Sequence, residues 1–334
     1  MSFHDGCNAE FEYVCKELDF NLTQAPQEVL STLDGQHIGN NRYNITHARA
    51  EKAWLTYQDY FNSFDGVIVS DTSALARIFL QNDWQKPLIV WVTNRFDYAD
   101  RGNQGTRFKF PDSEFYDLIR SISNRPNVAI AYSTIFEKTY AREIRGVDVE
   151  GPIIKATGWG RSGPLSNIII PSLKHQQMVF FPPYQNEFAF TSLPSALKRK
   201  SIPFYHKKGH WGGPFAIKEF KAIVHLPYAP TTIALFENIR VGLVHVIPSF
   251  RLMKSLLKSK KYFFQATHTL EMVRNSEWYL PENKAFFDSF RDLRRKLTSI
   301  DFEKKKKQVY QLSVQHKDNQ LALWKKLLNP LFLN

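Results

Sequence analysis

Residues 222–249 have the sequence AIVHLPYAPTTIALFENIRVGLVHVIPS, and this stretch decides the fold. A β-branched run leads into His225-Leu226-Pro227, a short loop follows, and a helical stretch ends at Gly242 before a second apolar run. Continuous apolar runs of strand length on either side of a helix are typical of parallel strands covered on both faces. The stretch therefore predicts a strand–loop–helix–strand unit of an α/β domain.

The same alternation extends on both sides of this stretch. Further strands are predicted at residues 65–71, 86–93, 127–132, 177–182 and 202–206, and helices at 72–81, 135–145, 192–200 and 214–220. A Gly- and Pro-rich segment at 151–175 interrupts the alternation, and helices follow at 271–274, 285–297 and 302–328. We predict two Rossmann-like domains, residues 1–165 and 166–334, with a cleft between them and a helical C-terminal tail.

Composition supports folded domains with an anionic ligand. The chain has 334 residues, of which 43% are hydrophobic and 23% charged, so it can bury two cores. Residues 1–170 hold 17 Lys and Arg against 21 Asp and Glu, whereas the remainder holds 27 against 11. This basic second half is expected to bind the anionic ligand, although a solvated basic surface would have the same composition.

Two further features bear on location. The cysteines, Cys7 and Cys15, form neither a metal-binding spacing nor a disulfide framework, which fits a reducing compartment. No apolar run approaches the roughly 18 residues that span a bilayer, and the N-terminus lacks the features of a signal peptide. We expect a cytoplasmic protein without a transmembrane segment.

The loop after His225 has the chemistry of a phosphate site. Thr231 or Thr232 is predicted to cap the next helix, whose free amides and positive dipole end would face an anion. Glu237, about a turn and a half further on, can accept hydrogen bonds from both hydroxyls of a ribose. The site should be open to solvent before a ligand arrives. An ordinary capped helix with a solvated glutamate remains the alternative.

These residues resemble the donor-binding segment of GT-B glycosyltransferases. In those families a strand ending in Pro leads through a polar loop to a helix with Glu, and a Gly and a further strand follow. The resemblance implies that Glu237 binds the donor ribose and that Thr231 and Thr232 bind the diphosphate. Tyr228, on the same loop, is a further donor-binding candidate. It covers residues 177–250, and the first half only in architecture. The sequence also resembles glycosyltransferases of large algal (chlorella-type) viruses.

One position departs from that pattern. The commonest retaining GT-B families carry a second glutamate eight residues earlier, where this chain has Ala229. Retention or inversion therefore stays open. Tyr184 and Trp211 are further donor-side candidates, because their rings could stack on the nucleotide base. Three basic residues could neutralise the charge of the leaving diphosphate without a metal: Lys207, Lys208 and His210. A basic surface turn would also explain this group.

The acceptor side is assigned to the first half. His4 and Asp5 follow a very short strand predicted at 2–3 and precede a helix predicted at about 8–17. Either side chain could deprotonate an acceptor hydroxyl, and both could equally be capping residues. Three further residues stand at the ends of predicted strands and could line the acceptor site: Asp71, Arg95 and Asp97. Asp71 could instead cap the helix that follows it.

The sequence thus predicts a metal-independent hexosyl- or pentosyltransferase with no cofactor. Its donor would be a nucleotide-sugar, UDP- or GDP-linked, and its acceptor a glycan or glycoprotein; if the protein is viral, it acts in the host cytoplasm. Phosphate-loop, GxSxG, HExxH and CxxC motifs are absent, and no GxGxxG follows a predicted strand, which makes a dinucleotide cofactor unlikely. Two alternatives remain: a nucleotide-sugar epimerase of the same fold, and a basic nucleic-acid-binding protein. The second is disfavoured because no recognition motif accompanies the basic residues.

Overall fold

The computed structural model divides the chain into two compact units. It describes residues 1–34, 45–71, 73–93, 96–97, 112–161, 177–182, 194–206, 211–259, 272–279 and 284–332. The first unit comprises Met1–Ala156 together with Asn319–Asn334, and the second comprises Thr157–Asp318. Each unit contains its own parallel sheet.

The first unit is built on a three-stranded parallel sheet in the order β1-β2-β3. The strands are β1 (Val67–Asp71), β2 (Leu88–Val92) and β3 (Val128–Tyr132). Every residue of β2 is buried, as its uninterrupted apolar sequence predicts for a central strand. The helices are α1 (Asp5–Glu17), α2 (Gln27–Asp34), α3 (His47–Asn62), α4 (Arg77–Leu80), α5 (Ser113–Arg120) and α6 (Ile135–Arg145).

Aromatic side chains from distant parts of the sequence form the core of this unit. The rings of Phe11 in α1, Trp91 in β2 and Trp324 meet edge to face, with centroids 5.1 to 5.5 Å apart. The Trp91 indole donates to the carbonyl of Ile154 at 2.8 Å, so this large ring is buried without an unpaired N–H. Residues 319–332 are therefore part of the first core.

The second unit contains five parallel strands in the order β5-β4-β6-β7-β8. They are β4 (Val179–Phe181), β5 (Phe204–His206), β6 (Ala222–Val224), β7 (His245–Pro248) and β8 (Lys284–Phe287). The helices are α7 (194–199), α8 (Pro214–Ile217), α9 (Ile233–Arg240), α10 (Phe250–Lys258), α11 (Phe290–Ser299) and α12 (Phe302–Phe332), the last running on into the first unit. A buried hydrophobic cluster of this unit includes residues of β4 and β6 and residues from α8 and the loops: Phe180, Ile217, Phe220, Ile223 and Leu243.

The α/β fold class is confirmed: two parallel sheets flanked by helices, with a long C-terminal helix, as the GT-B architecture predicts. Three local predictions were wrong. Residues 2–3 do not form a strand, and residues 72–81 contain a 3-10 turn (Ser73–Ala76) before the short α4. Residues 285–287, predicted as helix, belong to β8 because they pair with β7, in the register Pro248↔Phe287.

The strand order of the second unit defines a crevice. The chain leaves β4 for β5 on one side, and returns to build β6, β7 and β8 on the other, so the order reverses between β4 and β6. In open α/β sheets, ligands bind beyond the carboxyl ends of the strands at such a switch point. The loop at 225–232 leaves β6 at this place and leads into α9.

Candidate functional site

The loop after β6 is fixed by the turn at 276–279, which follows a short 3-10 helix (Met272–Asn275). The Trp278 indole donates to the carbonyl of Ala229 at 2.8 Å, and the amide of Glu277 donates to that of Pro230 at 2.9 Å. The buried ring of His225 stacks on Trp278 with centroids 4.3 Å apart. Burial lowers the pKa of His225 to about 3, so this imidazole is neutral at physiological pH.

Helix α9 begins as the sequence predicts. Thr232 is the N-cap, and its hydroxyl accepts from the amide of Leu235 at 3.2 Å. The amides of Ile233 and Ala234, in the first turn, have no acceptor within the helix. The Thr231 hydroxyl oxygen is buried and makes no hydrogen bond within the described chain. Two amides and one hydroxyl are thus available to an anion at this helix end.

Glu237 lies in the second turn of α9 and is 7% exposed. The expectation of a carboxylate open to solvent was therefore wrong: the segment at 157–161 packs on the helix and places Arg161 Nε 3.2 Å from Glu237 Oε1. That contact lacks hydrogen-bond alignment, and the carboxylate accepts no hydrogen bond from any described residue. Burial raises the pKa of Glu237, and the charges of Arg161 and Arg240 lower it.

The segment at 157–161 is anchored on α9 by two contacts. Gly158 has a φ of +76°, and a Cβ on it would lie 2.8 Å from the amide of Glu237 and closer still to the Phe236 carbonyl. Arg240, the last residue of α9, donates to the carbonyls of Trp159 and Arg161 and lies 4.5 Å from the centroid of the Trp159 ring. Arg161 was not predicted from the sequence as a site residue, although it follows Gly158 and Gly160 in the Gly- and Pro-rich segment at 151–175.

The acceptor-side candidates lie in the first unit. His4 is the N-cap of α1: its Nδ1 accepts from the amide of Gly6 at 3.1 Å, while its side chain and that of Asp5 are exposed. Asp71 ends β1 in the left-handed region with a φ of +80° and is buried. Burial, and after it the negative charge of the Asp71 carboxylate, raises the pKa of the Cys7 thiol to about 12. This charge thus lies near the first turn of α1.

Asp97 is part of a buried hydrogen-bond network. Its carboxylate accepts from the hydroxyls of Tyr116 at 2.7 Å and Tyr140 at 3.3 Å, and from Arg145 Nε at 2.6 Å. These donors come from α5 and α6, and Asp97 is 2% exposed. The structure gives this carboxylate a role in holding the first unit together, so Asp97 is a poor candidate for the acceptor site.

Five predicted site residues lie outside the described residues: Tyr184, Arg95, Lys207, Lys208 and His210. On the donor side the structure brings together Thr231, Thr232 and Glu237, with Tyr228 on the same loop. In the described part of the chain, no helix has the length and apolar character needed to cross a membrane. No group of three His, Cys, Asp or Glu side chains is placed there to bind a metal.

No protein-family model matches the sequence, and no curated protein is similar to it in sequence. Several solved structures resemble the fold. The glycosyltransferase SnogD from Streptomyces nogalater matches 91% of this chain and 80% of its own at 10% identity and a TM-score of 0.46. The glycotransferase of kitacinnamycin matches 93% of this chain and 86% of its own, at 11% identity and a TM-score of 0.47. A GtfA/B complex matches 86% of this chain and 61% of its own, at 13% identity and a TM-score of 0.42. A likeness this distant does not establish an activity for this chain.

Proposed function

We propose that this protein is a glycosyltransferase that transfers a hexose or pentose from a nucleoside-diphosphate-sugar to a hydroxyl of a glycan or glycoprotein. The second unit, Thr157–Asp318, supplies the donor site and the first unit the acceptor site. UDP and GDP are the nucleotides that we expect to bind. The acceptor residues are His4, Asp5 and Asp71.

Glu237 is the observation that carries this proposal. Its carboxylate is nearly buried, yet it accepts no hydrogen bond from any described residue. A buried carboxylate without donors is costly, because it has lost its hydration and gained nothing in return except nearby positive charge. Two vicinal hydroxyls of a ribose would supply the missing hydrogen bonds. Its place on the helix that leaves the switch point is where a nucleotide is expected.

The start of α9 supplies the matching phosphate site. The diphosphate would accept from the amides of Ile233 and Ala234 and from the Thr231 hydroxyl, at the positive end of the helix dipole. The basic second half of the chain adds long-range attraction for an anion.

The reaction follows from these roles. The bond between the sugar C1 and the diphosphate oxygen breaks, and the acceptor oxygen forms a new bond to C1. The diphosphate leaves with the electron pair, and the helix amides with Lys207, Lys208 and His210 stabilise its charge. The proton of the acceptor hydroxyl passes to His4 or Asp5.

Replacing Glu237 by Gln tests the proposal, because it removes the charge and one acceptor while keeping the shape. We expect a 10- to 150-fold loss of affinity for UDP or GDP, from hydrogen bonds to a charged group worth about 1.5–3 kcal/mol. The loss should be much smaller for the 2′,3′-dideoxy nucleotide, which offers no hydroxyls. Calorimetric titration of both proteins with both nucleotides completes a thermodynamic cycle.

Glu219→Gln is the matched control, since Glu219 is an exposed glutamate of the same unit and should leave affinity unchanged. Equal binding by wild type and Glu237→Gln would refute the donor site. We also propose that EDTA leaves nucleotide binding intact, because amides and cations replace a metal; restoration by Mn²⁺ would contradict this. Epimerisation of the donor without acceptor would favour an epimerase instead.

A further inference from the structure

Among the described residues, the side chain that pairs with the Glu237 carboxylate is a basic one from another part of the second unit. We propose that Arg161 is a positioning residue for the nucleotide: it keeps the Glu237 carboxylate ionised and oriented towards the ribose hydroxyls. This inference rests on the proposed function, since it concerns the same nucleotide site.

The backbone around Arg161 is held against α9, which distinguishes this contact from an ion pair between two exposed side chains. Gly158 meets the backbone of α9 so closely that no side chain fits there. Three residues further on, the Arg161 carbonyl accepts a hydrogen bond from Arg240. Arg240 and Lys317 both lie over the Trp159 ring, at 4.5 and 5.1 Å from its centroid. These contacts hold the backbone of Arg161 beside α9, within reach of Glu237.

The contact supplies charge without using up the carboxylate. Arg161 Nε lies 3.2 Å from Glu237 Oε1, but no aligned hydrogen bond joins them. The oxygens of Glu237 thus keep their lone pairs for a ligand while a permanent positive charge stands beside them. A guanidinium suits this role because it remains charged at any pH at which a protein is folded.

Among the described residues, two cations face Glu237: Arg161 from the 157–161 segment and Arg240 from α9 itself. Burial alone would favour the protonated carboxyl, and the two guanidinium charges oppose this. Arg240 is engaged with two carbonyls, so Arg161 is the cation whose contact is with the carboxylate. A protonated Glu237 would lose acceptor capacity for the ribose.

The opposite role for Arg161 is to occupy the Glu237 carboxylate in place of the nucleotide. If Arg161 competed with the nucleotide for Glu237, its removal would strengthen binding. If it positions Glu237, its removal weakens binding at neutral pH, and the weakness is relieved as the pH rises and the carboxyl ionises. The two roles therefore predict opposite changes.

The test is a titration of UDP or GDP, whichever wild type binds, at pH 5 to 8.5 into wild type, Arg161→Gln, Arg161→Lys and Arg295→Gln. Arg295 pairs with Asp292 on the exposed face of α11, so its variant is the matched control. Affinity should fall towards acid pH in all four. In Arg161→Gln this fall should begin about one pH unit higher, since a charge at this distance shifts a pKa by about 1–3 units. Arg161→Lys should restore most of the wild-type profile.

A second measurement works without nucleotide. In protein labelled with [δ-¹³C]glutamate, the Glu237 carboxyl resonance is the one missing from Glu237→Gln, and its titration midpoint should be higher in Arg161→Gln. Arg161→Met, which keeps the aliphatic stem, replaces Arg161→Gln if the latter does not fold. An unchanged midpoint, or tighter nucleotide binding by the uncharged variants, overturns the role of Arg161. Failure of wild type to bind any nucleotide would refute the proposed function instead, while the carboxyl titration still tests the ion pair.

Discussion

Gly158 shows what a single position contributes to the second unit. Its φ of +76° already disfavours any residue with a Cβ, and the Phe236 carbonyl occupies the space that the Cβ would need. We expect Gly158→Ala to lower the free energy of unfolding by about 2–5 kcal/mol, which combines left-handed strain with overpacking. Urea denaturation of the purified variant measures this loss.

Gly146 is the matched control for this prediction. It ends α6 with a φ of +62°, but a Cβ there would meet only the end of the Arg120 side chain at 3.8 Å. Gly146→Ala should therefore cost about 1–2 kcal/mol from backbone strain alone. If both variants lost the same stability, the close approach of residue 158 to α9 would be wrong.

Residue-level predictions from the sequence succeeded where the cause is local. Thr232 caps α9 because a hydroxyl before an apolar helix bonds to the third amide, which the sequence itself encodes. The burial of Glu237 could not be predicted, since it depends on residue 161 packing from about 75 positions away. Asp97 follows a strand just as a site residue would, yet its donors come from two helices further along the chain.

At the scale of an element, the start of α9 should differ from an ordinary helix start. Thr232→Ala removes the cap and should lower the free energy of unfolding by about 1 kcal/mol. Because the same turn is proposed to bind the diphosphate, nucleotide affinity should fall as well. Thermal unfolding and calorimetric titration on one preparation give both numbers.

Thr134→Ala is the control, because Thr134 caps α6 with the same geometry, accepting from the amide of Glu137 at 3.0 Å. It should lose comparable stability and keep full nucleotide affinity. A Thr232→Ala variant that is less stable but binds nucleotide like wild type would place the phosphate elsewhere.

Elements were predictable from apolar periodicity, and their errors follow from its limits. Helix α6 has the bounds that the sequence predicts, and β2 lies within its predicted range. The four residues Lys284–Phe287 have an apolar run too short to distinguish strand from helix. Pairing with β7, a tertiary interaction, decides for strand. The strand order, and with it the crevice, is likewise set by tertiary pairing.

For the whole molecule, two buried imidazoles make stability depend on pH. Burial lowers the pKa of His225 to about 3, and burial together with the nearby charge of Lys284 lowers the pKa of His245. Between pH 6.5 and 3 the unfolded chain binds protons that the folded one does not, so this stability is complete above about pH 6.5 and is lost as the pH falls. Each histidine contributes a slope of up to about 1.4 kcal/mol per pH unit.

Urea denaturation at pH 8, 7, 6 and 5 measures this slope. Neither group contributes between pH 8 and 7, which provides an internal reference. His225→Phe keeps an aromatic ring against Trp278 and removes one titrating group, so its slope below pH 6.5 should be about half that of wild type. An unchanged slope in this variant would mean that His225 titrates normally in the folded protein.

The path of α12 has a consequence for synthesis on the ribosome. The Trp324 ring packs against Phe11 and Trp91, yet the ribosome polymerises it only after the whole of residues 157–318. The first unit therefore cannot complete its core until residues 319–332 have left the ribosome, and the aromatic face of Phe11 and Trp91 is exposed in the meantime to chaperones or to other nascent chains. A chain that stops near residue 318 contains the whole sequence of the second unit but an unfinished first one.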